Sequence, residues 1–417
     1  MDTQANTPLL LPAPTRYPPP YLFILDLCVL VSNLPYLLGI VLPLRTSNPY
    51  AELYPYSWGN ITSLTLGILL IIVGLLSLLL IPAWLFLPGG VWLCWFAGVA
   101  GVTWALSRAL NGHEGDVVVS SGQYVRGKAE LEDEKWFYVN GVMTGEYWLK
   151  TNVDEAERRF GRRIWGCLVQ RDLRYSSACV RSLYNNLRTA LLELESKPYP
   201  SSSSSPSSSI PVCRPKYKRV VLLAHSQGAL ITSLVLDMLY ADIPASLLSC
   251  LEVYTFGNAS NTFNNPLSQA DNPNSGTLRH LEHYANRGEY VSRIGILAFM
   301  PGGDVGQALQ TWGNQFAGRV FVREGRGHLF VQHYLDVLFE GGFVEVGGGG
   351  GVGRLLGYRD GAVVPNSILY STPLRQRLVI HPATELALLS NEVTTKEASV
   401  FKESIFQKCW SSFSALV

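Results

Sequence analysis

Residues Arg219–Ile231 read RVVLLAHSQGALI. The first half is a continuous apolar run without alternation, the pattern of a strand covered on both faces. Beyond it Leu230, Leu234 and Met238 recur at helical spacing. Between the two stands Ala224-His225-Ser226-Gln227-Gly228. A parallel strand that turns sharply into a helix pushes one side chain out at the carboxyl edge of its sheet. The backbone there is strained, so the residues two before and two after must be small. Ala224 and Gly228 meet that need, which makes Ser226 a candidate nucleophile. The same bend aims the backbone N–H of Gln227 toward a developing oxyanion.

Outward from this bend, short apolar runs alternate with helical periods. Trp136–Val139 reads as a strand ending in Asn140-Gly141. Leu149, Val153, Ala156 and Phe160 then keep helical spacing up to Gly161. Ile164–Val169 is the next strand, and Val180, Leu183, Leu187, Leu191 and Leu194 mark one face of a helix. Leu251–Phe256, Leu278–Ala285 and Gly318–Val322 read as strands, and Leu329–Phe339 as a last helix. This order predicts an α/β fold over residues 117–340, a mostly parallel sheet covered on both faces with right-handed crossovers. Tyr199–Pro211, rich in serine and proline, reads as a flexible insertion. Gly347–Gly351 follows a helix rather than a strand, so it is read as a linker into an extension over 341–417, not as a phosphate loop.

Charged residues make up only 16% of the 417, and the deficit is local: none of Asp, Glu, Lys, Arg or His occurs between Glu52 and Arg108. Leu64–Leu87 is long enough to cross a bilayer, Pro88-Gly89-Gly90 makes a turn, and Val91–Leu106 is a second span with Trp92, Trp95 and Trp104 suited to interfaces. Leu22–Leu44, interrupted by Asp26, Asn33 and Pro35, is taken as an irregular third span after a Pro-rich tail over residues 1–20. A multi-pass membrane protein is expected, with an endomembrane favoured. Asn60-Ile61-Thr62 is a glycosylation sequon that counts only in a luminal loop. A net charge of +1 suggests no nucleic-acid partner, and the seven cysteines show no CxxC pair.

On AHSQG and the surrounding element order, the chain from about Trp136 to Phe339 resembles the α/β-hydrolase superfamily, on its lipase-like serine-esterase side. By its architecture the whole chain looks like membrane-tethered hydrolases of filamentous fungi. The resemblance implies a serine, acid, histidine triad in that chain order and no cofactor. The acid should follow the strand two after the serine's strand. Glu289 in Tyr284-Ala285-Asn286-Arg287-Gly288-Glu289 is the first choice, matching an Asn-x-x-acid pattern of lipase relatives; Asp304 is second and Glu282 third. The base should lie between the last strand and the last helix, where Gly325-Arg326-Gly327-His328 places His328, with His333 the alternative. The second oxyanion donor should come from the loop after the Trp136–Val139 strand, with the N–H of Val142 first and that of Met143 next; Thr144 and Tyr147 either line the pocket or merely start a helix.

His280, Glu282 and His283 resemble a metal site, but residues three apart on a strand face opposite sides, so no metal is expected. His225 is expected to pack rather than to act as the base. Two functions compete on these residues. One is an integral-membrane serine hydrolase acting on a lipid or other hydrophobic ester. The other is a membrane protein that keeps the hydrolase fold as a binding or scaffold module, a reading for which Ala224, Asn140 and a glutamate acid leave room.

Overall fold

The computed structural model describes residues 19–112, 117–125, 133–168, 175–197, 212–266, 276–300, 316–346 and 352–362. The Ser-rich insertion, Gly347–Gly351, Asp304 and the chain after residue 362 lie outside the described residues.

The strands are β1 (Val118–Val119), β2 (Glu134–Val139), β3 (Ile164–Cys167), β4 (Leu194–Lys197), β5 (Val212–Pro215), β6 (Arg219–His225), β7 (Leu251–Phe256), β8 (His280–Asn286), β9 (Arg319–Arg323) and β10 (Val344–Glu345). Eight form one sheet in the order β1-β3-β2-β6-β7-β8-β9-β10. Its six inner strands are parallel, and only the edge strands β1 and β10 run antiparallel to their neighbours. The fold is α/β with a mostly parallel mixed sheet. β4 and β5 pair as a separate ribbon at the two ends of the Ser-rich insertion, so Leu194 begins a strand instead of closing a helix face.

Alternation along each strand divides the core in two. Phe137, Val139, Val220 and Leu222 point to one face, where Leu183 and Leu187 of α5 (Tyr175–Leu192) and Val235 and Leu239 of α6 (Gln227–Asp242) cover them. Trp136, Tyr138, Val221 and Leu223 point to the other, under Leu149, Val153 and Phe160 of α4 (Glu146–Phe160) and under Phe330 and Tyr334. α4 ends where Gly161 takes a left-handed φ of 67°, and its N–H closes on the Glu157 carbonyl. α6 turns Ala229, Val235, Leu236 and Leu239 inward, whereas Leu234 and Met238 are 49% and 38% exposed. The stripe read from the sequence is therefore the outer side of that helix. The expected last helix is tighter in place and looser in pitch: Phe330–Leu335 is a π-helical turn, followed by one α turn, Asp336–Leu338.

The sheet runs past residue 340, because β10 joins β9 and the 3₁₀ segment Arg354–Gly361 packs beneath it. Arg354 reaches Glu252, and its N–H and that of Leu355 donate to Glu282.

Near the N-terminus two helices are long and apolar enough to cross a membrane: α2 (Trp58–Leu79) and α3 (Gly89–Asn111). Twenty-two residues rise about 33 Å, against a hydrocarbon core of about 30 Å. Leu22–Leu44 does not form a comparable span. α1 (Pro19–Ser32) covers 14 residues, about 21 Å, and stops at Asn33, whose side chain turns back on the Val29 carbonyl. Pro35 then starts a 3₁₀ helix, Leu34–Ile40, that docks on the domain. The sequon asparagine is not in an open loop. Asn60 lies buried in α2, its amide donating to the carbonyls of Ala51 and Tyr54 and accepting from the Trp148 indole, which withholds it from modification in the folded chain.

Candidate active site

Chain order reverses across β2 and β6: the chain leaves β2 for β3 on one side and returns through β6 on the other. In open α/β sheets such a reversal, at the carboxyl ends of the strands, is where ligands are usually bound. Ser226 stands at the end of β6 with φ 57° and ψ −124°, one of two non-glycine residues with positive φ among those described. Holding serine in this region costs about 1–3 kcal/mol, so the packing around it must impose it. Its N–H is tied to the Phe256 carbonyl at 2.9 Å. On Gly228 a Cβ would lie 2.6 Å from the carbonyls of both Val139 and Asn140, so only glycine lets the helix start so close to β2. Ala224, fully buried, fits the position two before.

The loop after β2 runs directly beside the serine. A Cβ on Gly141 would come within 2.6 Å of Ser226 Cβ and 3.0 Å of its Oγ. Asn140 holds this loop by donating to the Thr144 carbonyl at 2.8 Å, and Met143 takes the second positive φ, 60°. Gln227 is the first residue of α6, so its N–H belongs to the first-turn donors that have no partner within the helix. Val142 sits in the turn between Gly141 and Met143. Thr144 is buried in the loop, while Tyr147 is exposed and pairs its hydroxyl with that of Ser57 at 2.7 Å.

Glu289 and His328 come together. Glu289 Oε2 lies 3.3 Å from His328 Nδ1, with the carboxylate fully buried. That carboxylate caps the short helix α8 (Tyr290–Ile294), accepting from the N–H groups of Val291 and Ser292 at 2.6 Å each, and it accepts from the Tyr334 hydroxyl at 3.3 Å. Burial pushes its pKa up, but the charge and contact of His328 and the donors of Ser292 more than offset this, and the group sits below its usual range. Both ring nitrogens of His328 lack an aligned hydrogen bond among the described residues. The imidazole thus faces the carboxylate without being bonded to Ser226 in this structure.

Three further side chains assemble the loops around the pair. His225 Nε2 lies 2.6 Å from the carbonyl oxygen of His328. A carbonyl only accepts, so Nε2 carries the proton and the ring is a clamp on the histidine loop; the centres of the two rings lie 4.7 Å apart, their planes tilted by 35°. Burial, then the charge of His328, pushes the His225 pKa well down, which keeps the ring neutral. Asn286 bridges the acid and histidine loops by donating to the Gly327 carbonyl at 2.7 Å. Tyr334 spans from Glu289 to the Asn286 N–H. Sequence reading placed His225 as packing and missed the linking roles of Asn286 and Tyr334. For Asn286 the Asn-x-x-acid spacing was the available signal.

Of the alternatives, Asp304 lies outside the described residues, and His333 and Glu282 are engaged elsewhere. His333 accepts from the Leu329 N–H at its Nδ1 and turns Nε2 to the Pro43 carbonyl at 3.0 Å, and burial holds its pKa at about 4, so it is a neutral structural ring. Glu282 lies toward the opposite, amino end of β8, bonded to His280, Tyr284 and the Arg354 N–H. His283 faces away from His280, pairing with Thr255 and the Ala317 carbonyl. A cavity of about 510 Å³ does exist, but it is lined by Asn48, Arg158, Arg159, Asp336 and Arg359 near the C-terminal end of α4, away from Ser226.

Compared with models of known protein families, with curated proteins and with solved structures, the chain matches none of them.

Proposed function

We propose that the protein is an integral-membrane serine hydrolase of α/β-hydrolase type, cleaving a lipid or other hydrophobic ester. The observation that carries this reading is a serine held at a strained, positive φ at the carboxyl edge of a parallel sheet, with a buried imidazole–carboxylate pair on the loops after β8 and β9. In the mechanism, Ser226 Oγ attacks the ester carbonyl and its proton passes to His328 Nε2. Glu289, facing Nδ1, stabilises the imidazolium. The N–H groups of Gln227 and Val142 hold the oxyanion. Collapse breaks the C–O bond, and the alcohol leaves with the proton from His328. Water, deprotonated by the same ring, then cleaves the acyl-enzyme to the acid and restores the serine.

Membrane attachment through α2 and α3 supports a hydrophobic substrate. Only 17% of the most apolar stretch of α2 is buried and none of that of α3, unlike the core helices of a soluble protein. The loop bearing Val142 also meets α2 directly: a Cβ on Gly67 would lie 3.1 Å from Met143 Cε. A hydrolase fold kept as a scaffold is favoured by one feature, the His328 ring, neither of whose nitrogens has an aligned hydrogen bond among the described residues. Catalytic hydrogen bonds often tighten only around substrate, whereas the serine strain has no purpose in a scaffold. A fluorophosphonate probe decides between them. Ser226 Oγ bonds to phosphorus as fluoride leaves and His328 takes the proton. Labelling of the wild type and none of Ser226→Ala is expected; no wild-type labelling, or equal labelling of both, overturns the proposal.

A further inference from the structure

The segment between α1 and α2 is more than a connection to a membrane anchor. Its backbone accepts from the histidine loop: Gly327 N–H donates to the Gly39 carbonyl at 2.7 Å and His328 N–H to that of Ile40 at 2.8 Å. The Pro43 carbonyl accepts from His333 Nε2 and from the Gln332 amide. On the acid side, Gly39 abuts the Gly288 carbonyl and Glu289 Cα so closely that no side chain fits. Arg293, which follows Glu289 in α8, reaches Asn33 at 2.8 Å and lies over Tyr36.

Glu52 closes this strap. It is buried, and its two carboxylate oxygens accept from the N–H groups of Val331 and Gln332 at 3.1 and 3.3 Å. Those are first-turn donors of the π-helical turn that begins two residues after His328. The catalytic loop is thus gripped on both flanks, by Gly39 and Ile40 at His328 itself and by Glu52 just beyond it. Loop residues with no regular partner depend on such contacts for their position.

We infer that Glu52 is a positioning residue for His328, and that the strap Gly39–Glu52 makes the membrane-proximal region a part of the catalytic apparatus. The inference rests on the proposed serine hydrolase. Glu52 touches no reacting atom; it acts through the turn it caps.

The test uses the full chain in lipid nanodiscs with the fluorophosphonate probe, measuring the maximal rate of labelling separately from the apparent probe affinity. In Glu52→Ala the rate should fall by about 100-fold, the effect of an ångström-scale misplacement, while affinity is unchanged. Glu52→Gln keeps one acceptor oxygen at nearly the same shape and should fall between the two. A purely structural Glu52 would lower the thermal midpoint of both variants and leave the labelling rate of the folded protein at the wild-type value, and that result overturns the positioning role alone. If Glu52→Ala does not fold, the rate of Glu52→Gln decides in the same way. A wild-type chain that takes no label removes the hydrolase reading, and the positioning role with it.

Discussion

Adding one methyl group at Gly141 probes how closely the loop proposed to hold the oxyanion is fitted to Ser226, the proposed nucleophile. The glycine has an ordinary backbone conformation, outside the left-handed region, so alanine is not resisted by its φ and the cost is steric alone. The new Cβ would start 2.6 Å from Ser226 Cβ, and ordinary contact begins at 3.4 Å, so the two must part by about 0.8 Å. Ser226 cannot yield easily, because its N–H is fixed to Phe256 and Gly228 is pressed on β2. Overpacking of this kind costs about 1–3 kcal/mol of stability. A displacement near 1 Å of nucleophile against donor costs about 100-fold in rate, close to 2.7 kcal/mol of barrier. Gly141→Ala should therefore melt lower and react with a fluorophosphonate about 100-fold more slowly. Gly74→Ala in α2 is the control, since an added Cβ there meets nothing within 4 Å. Its rate should match the wild type. A Gly141→Ala chain with wild-type reactivity and midpoint would refute the close approach of loop to serine, and with it the assignment of Val142 as a donor.

Glu289→Gln puts an amide N–H₂ where two backbone N–H groups, a hydroxyl and an imidazole look for acceptors, and should cost about 1–3 kcal/mol and most of the labelling rate. It should also change the pH profile of stability. The folded pKa of Glu289 lies below its usual 4.5, so its contribution is complete above that value and is lost as pH falls through the folded value; acid melting curves of wild type and Glu289→Gln should converge there. His328→Asn should abolish labelling, whereas His333→Asn should keep it and lose about 1–3 kcal/mol in thermal melts, as the Leu329 N–H and Pro43 carbonyl lose a partner; the reverse outcome would exchange their roles. Trp148→Phe strips the indole donor from buried Asn60 and should lower the midpoint by a similar amount, with no change meaning that α4 and α2 are not held by that bond.

Much of this architecture was legible because it depends on local pattern. The covered run before Ala224 can only be an inner parallel strand, and the small residues around Ser226 force the bend. Glu289 and His328 were placed by what the resemblance implies, and the structure brings their side chains together. What escaped reading depends on contacts between distant segments. Leu22–Leu44 has the composition of a span, yet Asn33 turns back on its own helix and Pro35 opens a new one, and the partner that explains the break is the histidine loop nearly 300 residues away. Leu234 and Met238 carry helical spacing, but spacing alone does not say which side of a helix meets the sheet. Nor does a π-helical turn announce itself, because its apolar residues Phe330, Val331 and Tyr334 suit an ordinary helix as well.

The two ends of the sheet explain why Glu289, and not a neighbouring carboxylate, suits the role proposed for it. At the amino end the glutamates on the strands meet fixed cations: Glu134 pairs with Arg162 and Arg219, Glu252 with Arg279 and Arg354, and Glu282 lies within 3.5 Å of Arg319. Their charge is already neutralised, and little of it remains to stabilise anything else. Glu289 at the carboxyl end is held by amides and a hydroxyl, and among the described residues its one charged partner is His328. Dipolar donors keep it ionised without cancelling its charge, so the field it presents at the imidazole favours the protonated ring that the proposed mechanism requires. Placing an arginine within reach of that carboxylate would remove the advantage. Ser292, whose hydroxyl meets Tyr334 beside Glu289, is itself fully buried and has no room for an arginine, but Ser292→Ala keeps the N–H that Glu289 accepts and should largely keep labelling; loss of labelling in that folded variant would refute the view that the backbone donors hold the carboxylate.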